Sequence, residues 1–212
     1  MGITLYNYWR SSASYRVRLA LHYKGLSFQY VPVNLLAAEQ TQDAHKTRNP
    51  TGYVPAIEID GRWAAESVAI LELLDVLYPE KPLYPREPWA AAYVRQLVET
   101  INSGIQPLHN LNVVNRLPFD ADGKVEWSKH FITKGLTAVE ALLSRRANVN
   151  ARFAVSDEPM AVDMFITPQL YGARRNKVDL SAFPLCVAAD EAVRATEFGK
   201  AALPENQIDA TP

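Results

Sequence analysis

The sequence predicts a small α/β domain followed by an all-helical domain. Segments typical of strands and of helices alternate over roughly the first 80 residues. Residues 78–88 (YPEKPLYPREP) contain four prolines, so this stretch cannot form a helix interior or a central strand and is interpreted as a linker. Beyond it, apolar residues follow helical spacing and no clear strand pattern is found. We therefore expect one domain at residues 1–82 and a second at residues 88–212.

The first elements are a strand, a helix and a second strand. Thr4–Trp9 is rich in β-forming residues, which predicts the first strand. Ser12–Lys24 carries apolar residues at roughly helical spacing, and Gly25 suits the left-handed residue that follows a last helical turn. Phe28–Val33 is predicted as the second strand, and the polar segment Gln40–Thr47 as a short helix.

A hairpin and a helix complete the first domain. Asp60-Gly61 separates Ala56–Ile59 from Arg62–Ala65, and Asp-Gly suits the tight turn that joins two antiparallel strands. Ser67–Leu77 follows with an apolar stripe at helical spacing. The resulting order, βαβαββα, predicts a small mixed sheet, because a βαβ unit pairs strands in parallel and a hairpin pairs them antiparallel.

The second domain is predicted to consist of helices joined by loops. The polar stretch from Pro204 onward is expected to fray. The predicted helical segments are Trp89–Arg116, Val125–Arg146, Met160–Arg174 and Val187–Phe198.

Composition excludes several classes of function. A net charge of -1 gives no long-range attraction to nucleic acid or to membranes. Cys186 is the only cysteine, which excludes an intramolecular disulfide and a multi-cysteine metal site. The four histidines are scattered without metal-ligand spacing, so no metal is expected. Because neither a secretory signal pattern nor a long apolar run is present, we expect a cytoplasmic protein.

Several short motifs follow one another in register along the chain. Residues 10–18 (RSSASYRVR) resemble the signature SSCSWRVR of the zeta-class glutathione transferases, a family that includes the maleylacetoacetate isomerases. Asn49-Pro50 with Val54-Pro55, and then Glu66-Ser67, resemble segments of a thioredoxin-like glutathione-binding domain. In the helical part, residues 104–111 (GIQPLHNL) and residues 168–180 are also similar to zeta-class stretches.

Three positions depart from the family pattern. Ala13 stands where the signature has Cys, Tyr53 where Gln is usual, and Met160 where a Thr would begin a helix-capping box that ends at Asp163. With Ala13 in place, a cysteine-based reductive variant of this class is not expected. Met160 lacks the capping oxygen, which is worth about 1 kcal/mol.

The resemblance implies the cytosolic glutathione transferase architecture, with glutathione as cofactor and a homodimeric assembly. Residues 1–82 would form the thioredoxin-like domain that binds glutathione, and residues 88–212 a helical bundle that forms the electrophilic-substrate site. The implied glutathione-binding residues are Ser11, Ser12, Ala13, Gln40, Val54, Pro55, Glu66, Ser67, Gln106, Asn110 and Asn112.

Several of these assignments have a simpler alternative. Val54 would pair its backbone with the tripeptide if its bond to Pro55 were cis, whereas a trans proline in a loop is the commoner case. Ser67 could donate to the γ-glutamyl carboxylate and Glu66 could pair with the ligand's ammonium; Ser67 could instead be only a helix N-cap. Gln40 is a candidate donor to the glycyl carboxylate. Gln106, Asn110 and Asn112 stand at roughly helical spacing and could line the cleft or form only a polar helix face.

Ser11 is the candidate for the chemistry, because it follows a strand and precedes a helix, at the positive end of the helix dipole. A thiol with a pKa of about 8.5 is only a few per cent ionised at pH 7, and lowering that pKa by about 2 units requires roughly 2.7 kcal/mol. A hydrogen bond to an anion contributes about 1.5–3 kcal/mol, and the helix terminus adds roughly 0.3–1 kcal/mol. The alternative is that Ser11 only caps the helix and Ser12 or Ser14 assists the thiol.

Arg10 and Arg175 are the candidates for holding an anionic substrate that carries an activated cis double bond, although either could form an ordinary surface ion pair. Following the family, a thiolate would add to the double bond, the bond would rotate, and the thiolate would be expelled. The predicted catalytic residues are therefore Ser11, Ser12, Arg10 and Arg175. The leading activity is maleylacetoacetate isomerisation; a maleylpyruvate isomerase, a general glutathione transferase and a non-catalytic binding protein remain alternatives.

Overall fold

The computed structural model describes residues 2–211, which fall into two compact units. One unit comprises the chain up to Leu83 together with the segment from Arg194 onward, and the other is Tyr84–Val193. The first stretch ends at Leu83, which lies in the proline-rich segment at residues 78–88. The end of the chain differs from the expectation of a second domain reaching residue 212, because the segment after Arg194 belongs to the first unit.

The first unit is built on a four-stranded sheet. Its strands are β1 (Ile3–Asn7), β2 (Gln29–Pro32), β3 (Ala56–Ile59) and β4 (Arg62–Ala65), in the order β2-β1-β3-β4. β1 runs parallel to β2 and antiparallel to β3, and β3 pairs antiparallel with β4. Asp60 and Gly61 both have positive φ, 49° and 77°, as a tight hairpin turn of this kind requires. The predicted hairpin and mixed sheet are therefore confirmed.

Four helices belong to this unit: α1 (Ser12–Lys24), α2 (Asp43–Lys46), α3 (Ser67–Leu77) and α9 (Glu197–Ala202). α1 ends at Gly25, whose φ is 71°, as predicted. α3 and α9 both pack against α1, which explains why every residue from Ser14 to Leu21 is buried. The predicted helix at 40–47 is instead a 3-10 turn (Glu39–Thr41) followed by α2. Fully buried core residues include Leu5, Val17, Leu19, Ile57, Ile70, Leu71 and Leu74.

Helices alone build the described part of the second unit. They are α4 (Pro88–Asn102), α5 (Leu111–Val114), α6 (Ala121–Leu143), α7 (Ala161–Arg175) and α8 (Pro184–Arg194). Within residues 2–211, no helix is both long and apolar enough to cross a membrane.

Two predicted helices are each divided in the structure. The segment predicted as Trp89–Arg116 breaks after Asn102 into a 3-10 turn (Gln106–His109) and α5, because Pro107 supplies no backbone donor and disfavours a helix interior. The segment predicted as Val187–Phe198 divides between α8 and α9. There the Thr196 hydroxyl accepts the N–H of Gly199 at 3.0 Å and starts α9 as an N-cap.

The start of α7 is capped through Asp163. The fully buried Asp163 carboxylate accepts the N–H of Met160 and the N–H of Ala154, each at 2.8 Å. Burial raises the pKa of Asp163 to about 7. Met160 occupies the N-cap position, and its backbone carbonyl accepts the N–H of Asp163 at 3.0 Å. The Met160 side chain offers the first helical turn only a weakly accepting thioether sulfur in place of a hydroxyl oxygen.

Replacing Met160 by Thr is expected to raise the free energy of unfolding by about 1 kcal/mol, because a hydroxyl oxygen at the N-cap position accepts the N–H groups of the first helical turn more strongly than a thioether sulfur does. Urea unfolding followed by circular dichroism measures this change. Met160→Ala is the matched control, since it removes the thioether without adding an oxygen. A Thr variant no more stable than the Ala variant would show that the missing oxygen has no energetic weight here.

Candidate active site

The loop that leaves β1 turns sharply into α1, and we call residues 8–11 the Ser11 corner. Ser11 is the N-cap of α1 (φ −70°, ψ 122°), and its Oγ accepts the N–H of Ser14 at 3.2 Å. This bond uses a lone pair and leaves the hydroxyl proton free; among residues 2–211 that proton has no acceptor. Capping the helix and donating to an anion are therefore compatible roles for the half-buried Ser11.

The neighbouring serines differ in their surroundings. Ser14 is buried, and its Oγ accepts the N–H of Tyr8 at 3.4 Å beneath the Ser11 corner. It is therefore turned toward the protein interior, which argues against Ser14 as the thiol's partner. Ser12 and Ala13 are the first two residues of α1 and are half-buried, so Ser12 stays a candidate.

Arg18 supports the Ser11 corner from within the protein. Its side chain is fully buried and donates to the carbonyl of Trp9 at 2.8 Å and to Asn7 Oδ1 at 2.9 Å. It also reaches the carbonyls of Tyr8 (3.4 Å) and Ala202 (3.3 Å). Arg18 therefore has a structural role.

The loop before β3 presents an unpaired stretch of backbone. The Val54–Pro55 bond is cis, as the family resemblance implied. Within residues 2–211, neither the N–H nor the C=O of Val54 has a hydrogen-bonding partner. The preceding carbonyl, that of Tyr53, accepts from His45 Nε2 at 2.8 Å and from Asn49 Nδ2 at 3.0 Å. These two side chains hold the loop. Asn49 belongs to a motif that the sequence offered, whereas nothing in the sequence pointed to His45.

Glu66 and Ser67 lie at the start of α3. Their positions differ from the alternative in which Ser67 is only the N-cap of this helix. Glu66, not Ser67, is the N-cap residue, so the reading of Ser67 as an N-cap is wrong. Ser67 is the first helical residue, and its buried hydroxyl accepts Arg16 Nη1 at 3.0 Å. Glu66 has φ of 66°, a conformation that costs a non-glycine residue about 1–3 kcal/mol and is often found at ligand sites. Arg16, like Arg18, is a buried structural arginine.

Gln40 lies in the 3-10 turn next to the same loop. Its Oε1 is buried and has no partner among residues 2–211. A Cβ added to Gly52 would lie 3.2 Å from the carbonyl oxygen of Gln40, which shows how closely the loop before Val54 approaches this turn. An unpaired buried amide oxygen beside an unpaired stretch of backbone is the pattern expected where a polar ligand binds.

The candidates in the second unit do not share one helix. Gln106 begins the 3-10 turn, Asn110 is the N-cap of α5, and Asn112 lies inside α5. The expectation that these three residues lie on one helix is therefore wrong, because Pro107 interrupts the helix. Asn110 Oδ1 already accepts the N–H of Asn112 at 3.0 Å, which leaves its NH2 group for a ligand.

The two candidate arginines belong to different units. Arg10 is half-buried, and its guanidinium lies 5.2 Å from the centre of the Trp9 ring, a cation–π contact that keeps the side chain at the Ser11 corner. Arg175 is the last residue of α7 and is exposed.

No protein thiol is available for chemistry. Cys186, the only cysteine of the chain, is fully buried. Burial and the neighbouring Glu140 carboxylate raise its pKa well above the ordinary range, so it is an inert residue. Within residues 2–211, no group of three or more His, Cys, Asp or Glu side chains is placed to hold a metal ion. A nucleophilic thiol would therefore have to be supplied by a bound ligand.

A mixed β2-β1-β3-β4 sheet, a cis proline before β3 and a serine at the start of α1 define a glutathione transferase with a thioredoxin-like first domain. Residues 1–75 match the family model "Glutathione S-transferase, N-terminal domain". A probable maleylacetoacetate isomerase of Drosophila melanogaster is 40% identical over 98% of this chain and 90% of its own length.

Solved structures agree with this match. A maleylacetoacetate isomerase of Anaeromyxobacter dehalogenans with glutathione in its active site has a TM-score of 0.88 and 43% identity, and covers 99% of this chain and 98% of its own. A bacterial zeta-class maleyl pyruvate isomerase has a TM-score of 0.95 and 33% identity, and covers 98% of this chain and 100% of its own. The chain belongs to the zeta-class glutathione transferase family, together with the maleylacetoacetate isomerases.

Proposed function

We propose that this protein is a glutathione-dependent cis–trans isomerase that converts maleylacetoacetate-type substrates to their fumaryl isomers. The observation that carries the proposal is Ser11, which caps α1 while its hydroxyl proton stays free for an anion. Family membership supports the same activity, since relatives at about 40% identity across the whole chain bear the name maleylacetoacetate isomerase.

The polar groups of the first unit fit glutathione. Val54 offers an unpaired N–H and C=O to an extended peptide backbone. Ser67, at the start of α3, offers a hydroxyl proton and a backbone N–H to the γ-glutamyl carboxylate. The exposed Glu66 can pair with the ligand's ammonium. The Gln40 amide is assigned to the glycyl carboxylate. Pro55 and Ala13 would contribute only contact surface.

When bound, glutathione supplies a thiolate that can add reversibly to the cis double bond, which permits rotation. The Ser11 hydroxyl donates a hydrogen bond to that sulfur and, with the N-terminal dipole of α1, keeps the sulfur ionised. Ser12, the next residue, lies within the same first turn and is a second candidate donor. No protein base is required, because the pKa shift needed is about 2 units, or roughly 2.7 kcal/mol.

Cationic side chains are assigned to the substrate. We assign Arg10 and Arg175 to the substrate's carboxylate and to the negative charge that develops on its β-diketone oxygens, where fixed positive charge lowers the barrier. Gln106, Asn110 and Asn112 stay assigned to glutathione, as amide donors from the second unit. The assembly we propose is a homodimer, and the setting is aromatic catabolism in the cytoplasm.

A maleylpyruvate isomerase is the second candidate. It is favoured by the zeta-class maleyl pyruvate isomerase with a TM-score of 0.95. The two substrates share a carboxylate and an activated cis double bond, so the same Ser11 chemistry serves both. A general transferase, by contrast, would form a stable thioether and consume glutathione.

Product analysis tests the proposal. The purified protein is supplied with maleylacetoacetate and a small amount of glutathione, and in parallel with maleylpyruvate. We expect many molecules of trans product per glutathione, no thioether, and no reaction with S-methylglutathione, which lacks a free thiol. Faster turnover of maleylpyruvate would favour the second candidate. If the protein fails to bind glutathione, or if each turnover consumes one glutathione, the isomerase proposal is wrong.

A further inference from the structure

The segment that follows α9 lies against the Ser11 corner instead of fraying. We call residues 203–211 the tail segment. Gln207 Nε2 donates to the carbonyl of Leu203 at 2.7 Å, and Asn206 Nδ2 donates to the carbonyl of Lys200 at 2.8 Å. These side-chain bonds fold the tail segment back on α9, so the expectation that it frays is wrong.

Asp209 of the tail segment bridges two parts of the first unit. One carboxylate oxygen accepts the N–H of Trp9 at 3.1 Å, and the other accepts the hydroxyl of Tyr30, which lies on β2. The two donors approach separate oxygens, which suits an ionised carboxylate because it has only acceptor sites. Trp9 lies two residues before Ser11 and 200 residues before Asp209 along the chain.

The peptide groups of Trp9 are thereby held on both sides. Asp209 accepts its N–H, and the buried Arg18 donates to its C=O at 2.8 Å. The N–H of Ser11 in turn donates to the carbonyl of Tyr8 at 3.0 Å, so the corner is a closed turn. A turn fixed at Trp9 leaves the next residues little freedom, and the Ser11 hydroxyl is placed by that turn.

Ala210, next to Asp209, lies near Val54, whose backbone is assigned to glutathione. It packs against the buried cluster formed by Tyr8, Trp9, Val33 and Val54. Trp9 belongs to the Ser11 corner, and Val54 offers the unpaired backbone assigned to glutathione. Two consecutive residues of the tail segment therefore contact the corner and the cluster that contains Val54.

The groups around Tyr30 keep its phenol protonated, as a donor to Asp209 must be. Burial, the hydrogen bond to Asp209 and its negative charge raise the pKa of Tyr30, while Arg18 and Asn7 act in the opposite direction. The net shift is upward, so the phenol stays protonated and remains a donor to Asp209 at neutral pH.

We propose that Asp209 is a positioning residue for the isomerisation. It ties the tail segment to the backbone of Trp9, and it thereby sets where the Ser11 hydroxyl meets the sulfur of bound glutathione. This inference rests on the proposed function, because it concerns the geometry of the same thiol site. Asp209 itself does not touch the reacting atoms.

Asp209→Ala tests the proposal through readouts that a change in stability alone would not move. We expect kcat to fall by roughly tenfold to 100-fold, since a displacement of about 1 Å near a reacting group can cost about 100-fold. The pH titration of bound glutathione, followed by thiolate absorbance at 240 nm, should have its midpoint at higher pH than in the wild type. The KM for glutathione should change less than kcat, because the backbone of Val54 and the start of α3 are kept.

Three further variants complete the experiment. Asp209→Asn should restore most of kcat, because its oxygen can accept from Trp9 while its NH2 donates to a reversed Tyr30 hydroxyl. Ile208→Ala is the matched control, since Ile208 is 78% exposed, and it should behave as wild type. Tyr30→Phe keeps the Trp9 bond and should show a smaller loss; it decides the question by the same readouts if Asp209→Ala does not fold.

The outcomes separate this inference from the function on which it rests. A wild-type protein that neither binds glutathione nor isomerises refutes the proposed function. An active wild type whose folded Asp209→Ala variant keeps its kcat and thiolate titration refutes the positioning role, even if the variant melts at lower temperature.

Discussion

Replacing Ser11 by Ala is expected to lower kcat for the isomerisation by about 100-fold or more, while glutathione affinity changes only slightly. Loss of thiolate ionisation alone can account for at most about 30-fold, because a thiol of ordinary pKa is still about 3% ionised at pH 7. Removal of one well-placed donor to a reacting anion typically costs about 100- to 1000-fold. The excess over 30-fold measures how far Ser11 also positions the sulfur. Steady-state kinetics give kcat, and isothermal titration calorimetry gives the affinity.

Ser12→Ala is the matched control for this experiment. Ser12 lies in the same first turn of α1 and is half-buried like Ser11, yet it is not the N-cap. We expect its loss to be several-fold smaller than that of Ser11→Ala. The opposite ranking would transfer the role to Ser12, which was the alternative left open by the sequence.

Replacing Arg18 by Met is expected to lower the free energy of unfolding by about 3–5 kcal/mol. The guanidinium is fully buried and donates to the carbonyls of Trp9, Tyr8 and Ala202 and to Asn7 Oδ1. Met fills similar volume but donates nothing. The carbonyl of Trp9 and Asn7 Oδ1 then lose the Arg18 donor at about 1–3 kcal/mol each, whereas the carbonyl of Tyr8 keeps the N–H of Ser11. Since a domain is stable by only about 5–15 kcal/mol in total, the variant should lose a large share of its stability.

Urea denaturation measures this loss, with Arg62→Met as the control. Arg62 is exposed on β4, so its replacement should change stability by less than about 0.5 kcal/mol. Arg18→Lys should fall between the two, because Lys keeps the charge but lacks the planar fork of donors. An Arg18→Met protein as stable as the Arg62→Met protein would show that the buried network contributes nothing.

Elements set by local signals were predictable from the sequence. Asp60-Gly61 specified the hairpin, and Gly25 marked the end of α1, because in both cases a few neighbouring residues decide the backbone conformation. The break after Asn102 was missed because periodicity was followed through Pro107. The tail segment was missed for a different reason: it is polar, and only its contacts with distant residues order it.

The residues of the candidate site likewise divide into those found in short local motifs and those brought in from distant parts of the chain. Ser11, the Val54–Pro55 pair and the Glu66–Ser67 pair lie in short contiguous motifs, so one sequence could point to them. Asp209 is 200 residues from Trp9 along the chain, and no local pattern links the two residues. His45 was also missed, because its bond to the carbonyl of Tyr53 depends on how α2 packs against the loop. Side chains that support a site from distant parts of the chain require the fold to be known.

The measurement that tests the central claim most directly is a pH titration of glutathione bound to the wild-type protein, followed by thiolate absorbance at 240 nm. The account predicts an apparent pKa about 2 units below the free value of about 8.5, and a return toward that value in Ser11→Ala. A bound thiol that titrates near 8.5 in the wild type, or identically in both proteins, would contradict the claim that Ser11 and the start of α1 keep the sulfur ionised.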